Sequence, residues 1–209
     1  MKPSIAFIGG GNMARSIIGG LLTQGFDKSG LHVSEPHAPT REALARELAI
    51  EVRDDKLQVA GNGDVWLFAV KPQVMKAVCA QLRGLAQQRR PLILSIAAGI
   101  TGGQLDAWLG GGLPVIRIMP NTPALLGAGA SGLFANGVVD ERQKRLAEQL
   151  FRATGLCTWV ESEALMDTVT ALSGSGPPYV SPPCEALQAA AEKRGLPASA
   201  GRALAVQTF

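Results

Sequence analysis

Aromatic side chains are scarce in this 209-residue chain, 5% of the total with one tyrosine, and that leaves little to build a surface for stacking nucleobases. Lysine and arginine never form a block. The densest spots are Arg89-Arg90 and the 142–145 stretch, and a net charge of +3 spread so thinly gives no electrostatic footprint for nucleic acid or a lipid surface. Long apolar runs are missing too: Ile5-Ala6-Phe7-Ile8 gives about four residues before glycine intervenes, too few for a signal peptide or a membrane span. The three cysteines, Cys79, Cys157 and Cys184, are odd in number, and none stands at metal-ligand spacing from another or from His32 or His37. These absences predict a cytoplasmic protein without metal, nucleic-acid partner or membrane, whose cysteines are idle thiols.

What is present suits a close-packed α/β domain: 46% hydrophobic residues and 25 glycines, with a length that can bury a full core. Short β-rich runs are expected near 4–8, 31–35, 65–70, 92–96, 114–118 and 156–160. They alternate with helical spacing over 12–24, 39–48, 73–87 and 140–152, as in Ala43, Leu44 and Leu48 or Leu146, Leu150 and Phe151. That alternation predicts a Rossmann-type, doubly wound, mostly parallel sheet. The Gly102-Gly103 and Gly110-Gly111-Gly112 clusters read as loops around a short helix. After Glu161 the character changes to a helix over 162–172, then Ser173-Gly174-Ser175-Gly176-Pro177-Pro178 and Ala-rich sequence. The boundary therefore separates a dinucleotide-binding domain, 1–161, from the start of a helical domain, 162–209.

The first expected strand runs into Gly9-Gly10-Gly11-Asn12-Met13-Ala14, and helical spacing (Ile17, Ile18, Leu21, Leu22) follows at once. This is the context in which a glycine loop binds a dinucleotide pyrophosphate. Gly9 permits the tight turn, Gly11 lets the phosphates approach the backbone, Ala14 allows close helix–strand packing, and the helix N-terminus supplies unpaired N–H groups. Glu35 ends the second strand about two dozen residues after Gly11, where a carboxylate accepts from the adenosine ribose and favours NAD. Ser34 and Arg41 would accommodate NADP, so the cofactor is NAD or NADP. Lys71, after the third strand, is positioned to meet a cofactor phosphate or ribose, and Ser95-Ile96-Ala97-Ala98-Gly99 leaves room for a nicotinamide ring.

Five ordered stretches resemble the pyrroline-5-carboxylate reductase family: Phe7 through Met13, Ala69-Val70-Lys71-Pro72, Ser95 through Gly99, Arg117-Ile118-Met119-Pro120-Asn121-Thr122-Pro123-Ala124, and Ser173 through Pro177 with Tyr179 beyond. The resemblance implies hydride transfer from NAD(P)H to the imine of 1-pyrroline-5-carboxylate, giving L-proline in the last step of proline biosynthesis. It implies that Ile8, Gly9, Gly10, Gly11, Asn12, Met13, Ser34 or Glu35, Ala69, Val70, Lys71, Pro72, Ile96, Ala97 and Ala98 line the cofactor. Asn121, as amide partner, Thr122, as a backbone cap, Ser175 and Gly176 would face the substrate. The family often has Asn where Lys56 stands, so that contact is not carried over. Hydride comes from the cofactor and the protein mainly orients two ligands, which fits the absence of a nucleophilic constellation, so no catalytic residue is nominated.

Two features depart from the family. Pro178, Pro182 and Pro183 occupy positions that are apolar and helical in it; interior prolines cost about 3 kcal/mol each, so the helix is expected to begin near Cys184 or the stretch to be remodelled. The resemblance also implies further helical chain beyond Phe209, completing substrate site and subunit pairing, so the helical domain is expected to be incomplete and a homodimer or higher homo-oligomer to depend on it. The alternatives are a non-catalytic dinucleotide-binding fragment, or another NADP-linked dehydrogenase of similar fold.

Overall fold

The computed structural model describes residues 3–208; Met1, Lys2 and Phe209, where the two expected domains begin and end, lie outside the described residues. Eight strands of the described residues form one sheet: β1 (Ile5–Ile8), β2 (Leu31–Ser34), β3 (Val52–Arg53), β4 (Val65–Phe68), β5 (Leu92–Ser95), β6 (Val115–Met119), β7 (Gly129–Ala135) and β8 (Gly155–Trp159). Their order is β3-β2-β1-β4-β5-β6-β7-β8, parallel as far as β6, then antiparallel between β6 and β7 and parallel between β7 and β8. The doubly wound, mostly parallel arrangement agrees with the sequence expectation.

Because side chains alternate along a strand, β1 feeds both faces of the sheet. Ile5 and Phe7 pack with Ile17 and Ile18 of α1 (Asn12–Thr23), Leu44 of α2 (Ala38–Leu48) and Phe151 of α6 (Glu141–Arg152). Ala6 and Ile8 pack on the other side with Val59 of α3 (Lys56–Gly61), Met75 and Leu82 of α4 (Pro72–Arg89) and Leu105 of α5 (Gly102–Leu109). Trp66, fully buried on that side, donates its indole N–H to the carbonyls of Ala60 at 2.9 Å and Gly63 at 3.2 Å. Strands covered on both faces read as continuous apolar runs, which is why β1, β4 and β5 were visible in the sequence.

The helical segment comprises α7 (Leu165–Val169), a π turn at Thr170–Gly174, α8 (Pro177–Lys193) and α9 (Ala198–Thr208). The helix expected over 162–172 thus begins three residues later and passes directly into the π turn. Its register widens at Thr170, where the Ser175 N–H donates to the Thr170 carbonyl at 2.8 Å, and the segment lies close on the sheet: a Cβ at Gly174 would stand 2.8 Å from Met119 Cε, and one at Gly132 only 2.5 Å from Val169 Cγ1. Gly102 and Gly103 are a correction as well. They open α5 rather than a loop, held by a capping box between Thr101 and Gln104.

The prolines overturn the expected late start: α8 begins at Pro177 and carries Pro182 and Pro183 in its interior. Pro178 lies in the first turn, where no N–H is needed. The carbonyls of Pro178 and Tyr179, which lose their helical donors to Pro182 and Pro183, belong to exposed residues that water reaches. A Pro182→Ala/Pro183→Ala variant restores both donors and is expected to raise the melting temperature of the helical segment, followed by far-ultraviolet circular dichroism; an unchanged or lowered midpoint would show that the prolines do not weaken α8.

His32 on β2 is partly buried, and desolvation, aided by the Arg53 charge and outweighing the Glu51 carboxylate, pulls its pKa below the usual 6.5. A base with a depressed native pKa takes up more protons when unfolded, so stability falls as pH drops through 6.5 toward the lower native value. His32→Gln is expected to flatten that part of the profile in denaturant titrations on either side of pH 6.5, and an unaltered slope would contradict the assignment.

Candidate functional site

The strand order reverses between β1 and β4, and at such a point the crevice beyond the carboxyl ends of the strands is open to a ligand. Gly9 turns the chain there with φ +107°, and a Cβ on it would lie 2.6 Å from the Ala69 carbonyl oxygen, so glycine is required by backbone angle and by space. Its N–H donates to the Ser34 carbonyl at 2.9 Å. Gly11 is the N-cap of α1 with no side-chain cap, and the first turn holds no acidic residue, so the leading N–H groups meet no competing carboxylate of their own helix. A Cβ at Gly11 would meet nothing within 4 Å, while Ala14 is fully buried against the strand. Beside the loop lies a cavity of about 280 Å³ lined by residues that include Gly10, Asn12, Arg15, Thr40 and Leu44. Open space above Gly11, uncapped donors and this cavity fit a dinucleotide.

Two residues expected to touch the cofactor are engaged differently. Ser34 is buried, and its hydroxyl donates to the Phe7 carbonyl at 3.3 Å, so it braces β1 and presents no side chain to a ligand. The Glu35 carboxylate, expected on the ribose, accepts the backbone N–H of Gly10 through Oε2 and that of His37 through Oε1, each at 2.9 Å. Arg41 donates from Nη1 to the carbonyls of Glu35 at 2.9 Å and Pro36 at 3.2 Å. Lys56 holds Gln81 Oε1 at 2.6 Å.

The next two turns lie along the same edge. The Ala69 N–H reaches the Ile8 carbonyl at 2.8 Å, Val70 follows, and Lys71 is the exposed N-cap of α4 with Pro72 opening the helix. The Ile96 N–H extends the ladder to the Phe68 carbonyl at 3.2 Å; Ala97, half-buried, and exposed Ala98 follow as a small-residue turn.

Beyond β6, Asn121 begins a short 3-10 helix at Thr122–Leu126. Its Oδ1 accepts the Ala130 N–H at 2.8 Å, so the amide braces β7 and only its Nδ2 donors remain for a ligand. Thr122 is exposed and the expected backbone cap does not form. Ser175 is exposed at the end of the π turn and Gly176 is the N-cap of α8, where a Cβ would lie 2.4 Å from the Leu172 carbonyl oxygen. Contact between Gly174 and Met119 brings this turn beside the end of β6.

One structural ion pair beside the site escaped the sequence. Arg117, 6% exposed on β6, donates from Nη1 to Glu163 Oε1 at 2.9 Å, and the same oxygen accepts the Gly102 N–H at 2.6 Å. One carboxylate thus ties β6, the start of α5 and the entry to α7. An arginine inside the apolar run Val-Ile-Arg-Ile-Met was the available signal, but its partner lies 46 residues on. Burial pushes the Cys79 thiol up to about 12 and the Cys157 thiol up to about 11, so neither supplies a thiolate near neutrality. Among the described residues no group of three or more His, Cys, Asp or Glu could hold a metal ion, and no helix is long and apolar enough to cross a membrane.

The comparisons agree with this geometry in both halves. Residues 4–99 match the family described as NADP oxidoreductase coenzyme F420-dependent, and residues 163–209 match pyrroline-5-carboxylate reductase dimerisation. A pyrroline-5-carboxylate reductase of Pseudomonas aeruginosa is 48% identical over 99% of this chain and 75% of its own length. The solved reductase of Coxiella burnetii superposes with a TM-score of 0.93 at 42% identity, covering 100% of this chain and 77% of that one. That of Plasmodium falciparum, with NADP bound, gives 0.86 at 27% identity, covering 100% and 76%. With its glycine loop at the switch point, its small-residue turns along one sheet edge and its helical segment seated against β6 and β7, the chain belongs to the pyrroline-5-carboxylate reductase family.

Proposed function

We propose that the chain reduces 1-pyrroline-5-carboxylate to L-proline with NAD(P)H. The observation that carries this reading is the alignment of four turns, after β1, β4, β5 and β6, along one edge of the sheet at its switch point. The cofactor, when bound, would supply hydride to the carbon of the protonated imine, which becomes Cδ of proline while the added proton stays on the ring nitrogen. Backbone donors from Gly11 through Met13 hold the pyrophosphate, with Ile8, Gly9 and Gly10 beneath it. Ala69, Val70 and Pro72 flank the ribose and Lys71 adds a positive charge. Ile96, Ala97 and Ala98 form a low wall that leaves the ring its space, and the Asn121 amide donors, Thr122, Ser175 and Gly176 orient the substrate. The roles of the side chains are binding and orientation.

The assembly is proposed to be a homo-oligomer formed through the helical segment 162–209, which suits the exposure of Tyr179, Leu204 and Val206, each more than half accessible. Three free cysteines suit a reducing, cytoplasmic setting. Steady-state assay of the purified protein with 1-pyrroline-5-carboxylate and either reduced cofactor is expected to give imine-dependent oxidation of the nicotinamide. Cofactor binding without turnover would instead select a non-catalytic dinucleotide module.

A further inference from the structure

We infer that Glu163 is a positioning residue for the imine end of the site: one of its carboxylate oxygens fixes the three backbone segments between which the imine is held, without touching either ligand; the inference rests on the reductase reading above. Oε1 accepts from Arg117 Nη1 at 2.9 Å and from the Gly102 N–H at 2.6 Å. Arg117 lies on β6 in register with Ser95 of β5 and Phe134 of β7, so its guanidinium moves with the strand that leads into Asn121. Gly102 is where the small-residue turn after β5, Ile96 through Gly99, returns to open α5. Glu163 itself sits at the entry to α7, where its carbonyl accepts the Met166 N–H at 3.0 Å, so it moves with the rod of helix and π turn that ends at Ser175.

That rod is seated at two further points, Val169 over Gly132 and Gly174 against Met119, and both are apolar. Such contacts set how close the segment lies, but they are not directional, whereas a charged hydrogen bond is. Within the π turn the hydroxyls of Thr170 and Ser173 are turned back to the carbonyls of Met166 at 2.8 Å and Val169 at 3.1 Å. Exposed Ser175, one residue past Gly174, is therefore presented beside the end of β6 in a direction that the rod sets. A buried ion pair often adds no stability over apolar residues of the same volume. What this one supplies is a fixed relation between β6, the start of α5 and α7.

Two variants of the full chain separate position from stability. Arg117→Met/Glu163→Leu removes the tie and leaves no buried charge, and Glu163→Gln keeps an oxygen where both donors converge. Both are compared with wild type, at a temperature where circular dichroism shows them folded, for calorimetric affinity toward NADH and NADPH and for steady-state kcat and KM toward 1-pyrroline-5-carboxylate at saturating cofactor. Misplacement by about 1 Å costs on the order of 100-fold, so the double variant is expected to lose roughly ten- to 100-fold in kcat/KM for the imine, and Glu163→Gln about threefold, while both bind the cofactors within about twofold of wild type. A folded double variant with imine kcat/KM within about twofold of wild type would overturn the inference. Loss of cofactor affinity in step with imine turnover would overturn it too, because general loosening produces that pattern. If the double variant does not fold, Glu163→Gln decides: a fall of about threefold at unchanged cofactor affinity supports the role, and an unchanged kcat/KM overturns it. A wild type that binds cofactor and does not reduce the imine would instead overturn the reductase reading itself, and the positioning role with it.

Discussion

Gly9→Ala is expected to abolish measurable binding of NADH and NADPH and to lower stability by about 3 kcal/mol, because two penalties act on one methyl group. The backbone at Gly9 has φ +107°, a conformation that costs an L-residue about 1–2 kcal/mol. The added Cβ would also stand 2.6 Å from the Ala69 carbonyl oxygen, a backbone atom that cannot rotate away. Relief requires β1 and β4 to separate at the switch point, moving the Gly9 N–H from the Ser34 carbonyl and redirecting the donors of Gly10 and Gly11. Gly11→Ala is the control: its Cβ would enter open space, so the fold should be nearly unaffected while the approach of a pyrophosphate is obstructed. Denaturant midpoints and calorimetric affinities for the two variants separate the effects; a Gly9→Ala protein with wild-type stability would contradict the packing described at the switch point.

Glu163→Ala is expected to destabilise by roughly 3 kcal/mol, because it strands a guanidinium whose partner is gone. Arg117 has a side-chain exposure of 8% against 29% for Glu163, so removing the carboxylate leaves the less solvated charge unpaired. The Gly102 N–H at the start of α5 loses its acceptor in the same change. Glu163→Gln keeps an amide oxygen where both donors converge but removes the charge, and should lose about half as much, on the general scale of hydrogen bonds to charged groups. Replacing the pair with apolar residues of similar volume, Arg117→Met/Glu163→Leu, should recover much of the loss, because no buried charge remains. Thermal denaturation of the single and double variants completes the cycle. A double variant as unstable as Glu163→Ala would mean that the cost came from α5 and not from the stranded arginine.

The sequence revealed most where a residue's local requirement and its tertiary role coincide. The apolar runs of β1, β4 and β5 are buried on both faces, so composition alone marked them, and Gly9 was legible because a tight turn and a close approach ask for the same residue. Gly-Ala-Ser-Gly-Leu-Phe-Ala, by contrast, has the composition of a loop and forms β7, the longest strand of the described residues. Its glycines serve neighbours distant in sequence: a Cβ at Gly129 would lie 2.8 Å from Ala124 Cα, and Gly132 makes room for Val169. β-Propensity measures fit to such surroundings, which the local sequence does not carry. The site shows the same division. Lys71, Ile96, Ala97 and Ala98 follow from strand ends, whereas the engagement of Ser34 by Phe7, of Glu35 by the glycine loop and of Asn121 by β7 depends on side-chain directions that spacing does not encode. Pro182 and Pro183 stand inside α8 because the helix-interior penalty, which they still carry, weakens the helix without preventing one that packs against α9.

The switch-point crevice is expected to bring a reduced nicotinamide against a cyclic imine. The most direct test is to supply 1-pyrroline-5-carboxylate with NADH carrying deuterium at the transferable position of C4 and to examine the product by mass spectrometry and proton magnetic resonance. Proline bearing one deuterium at Cδ is the predicted result. Proline without deuterium, or no proline from a protein that binds NADH, would contradict it.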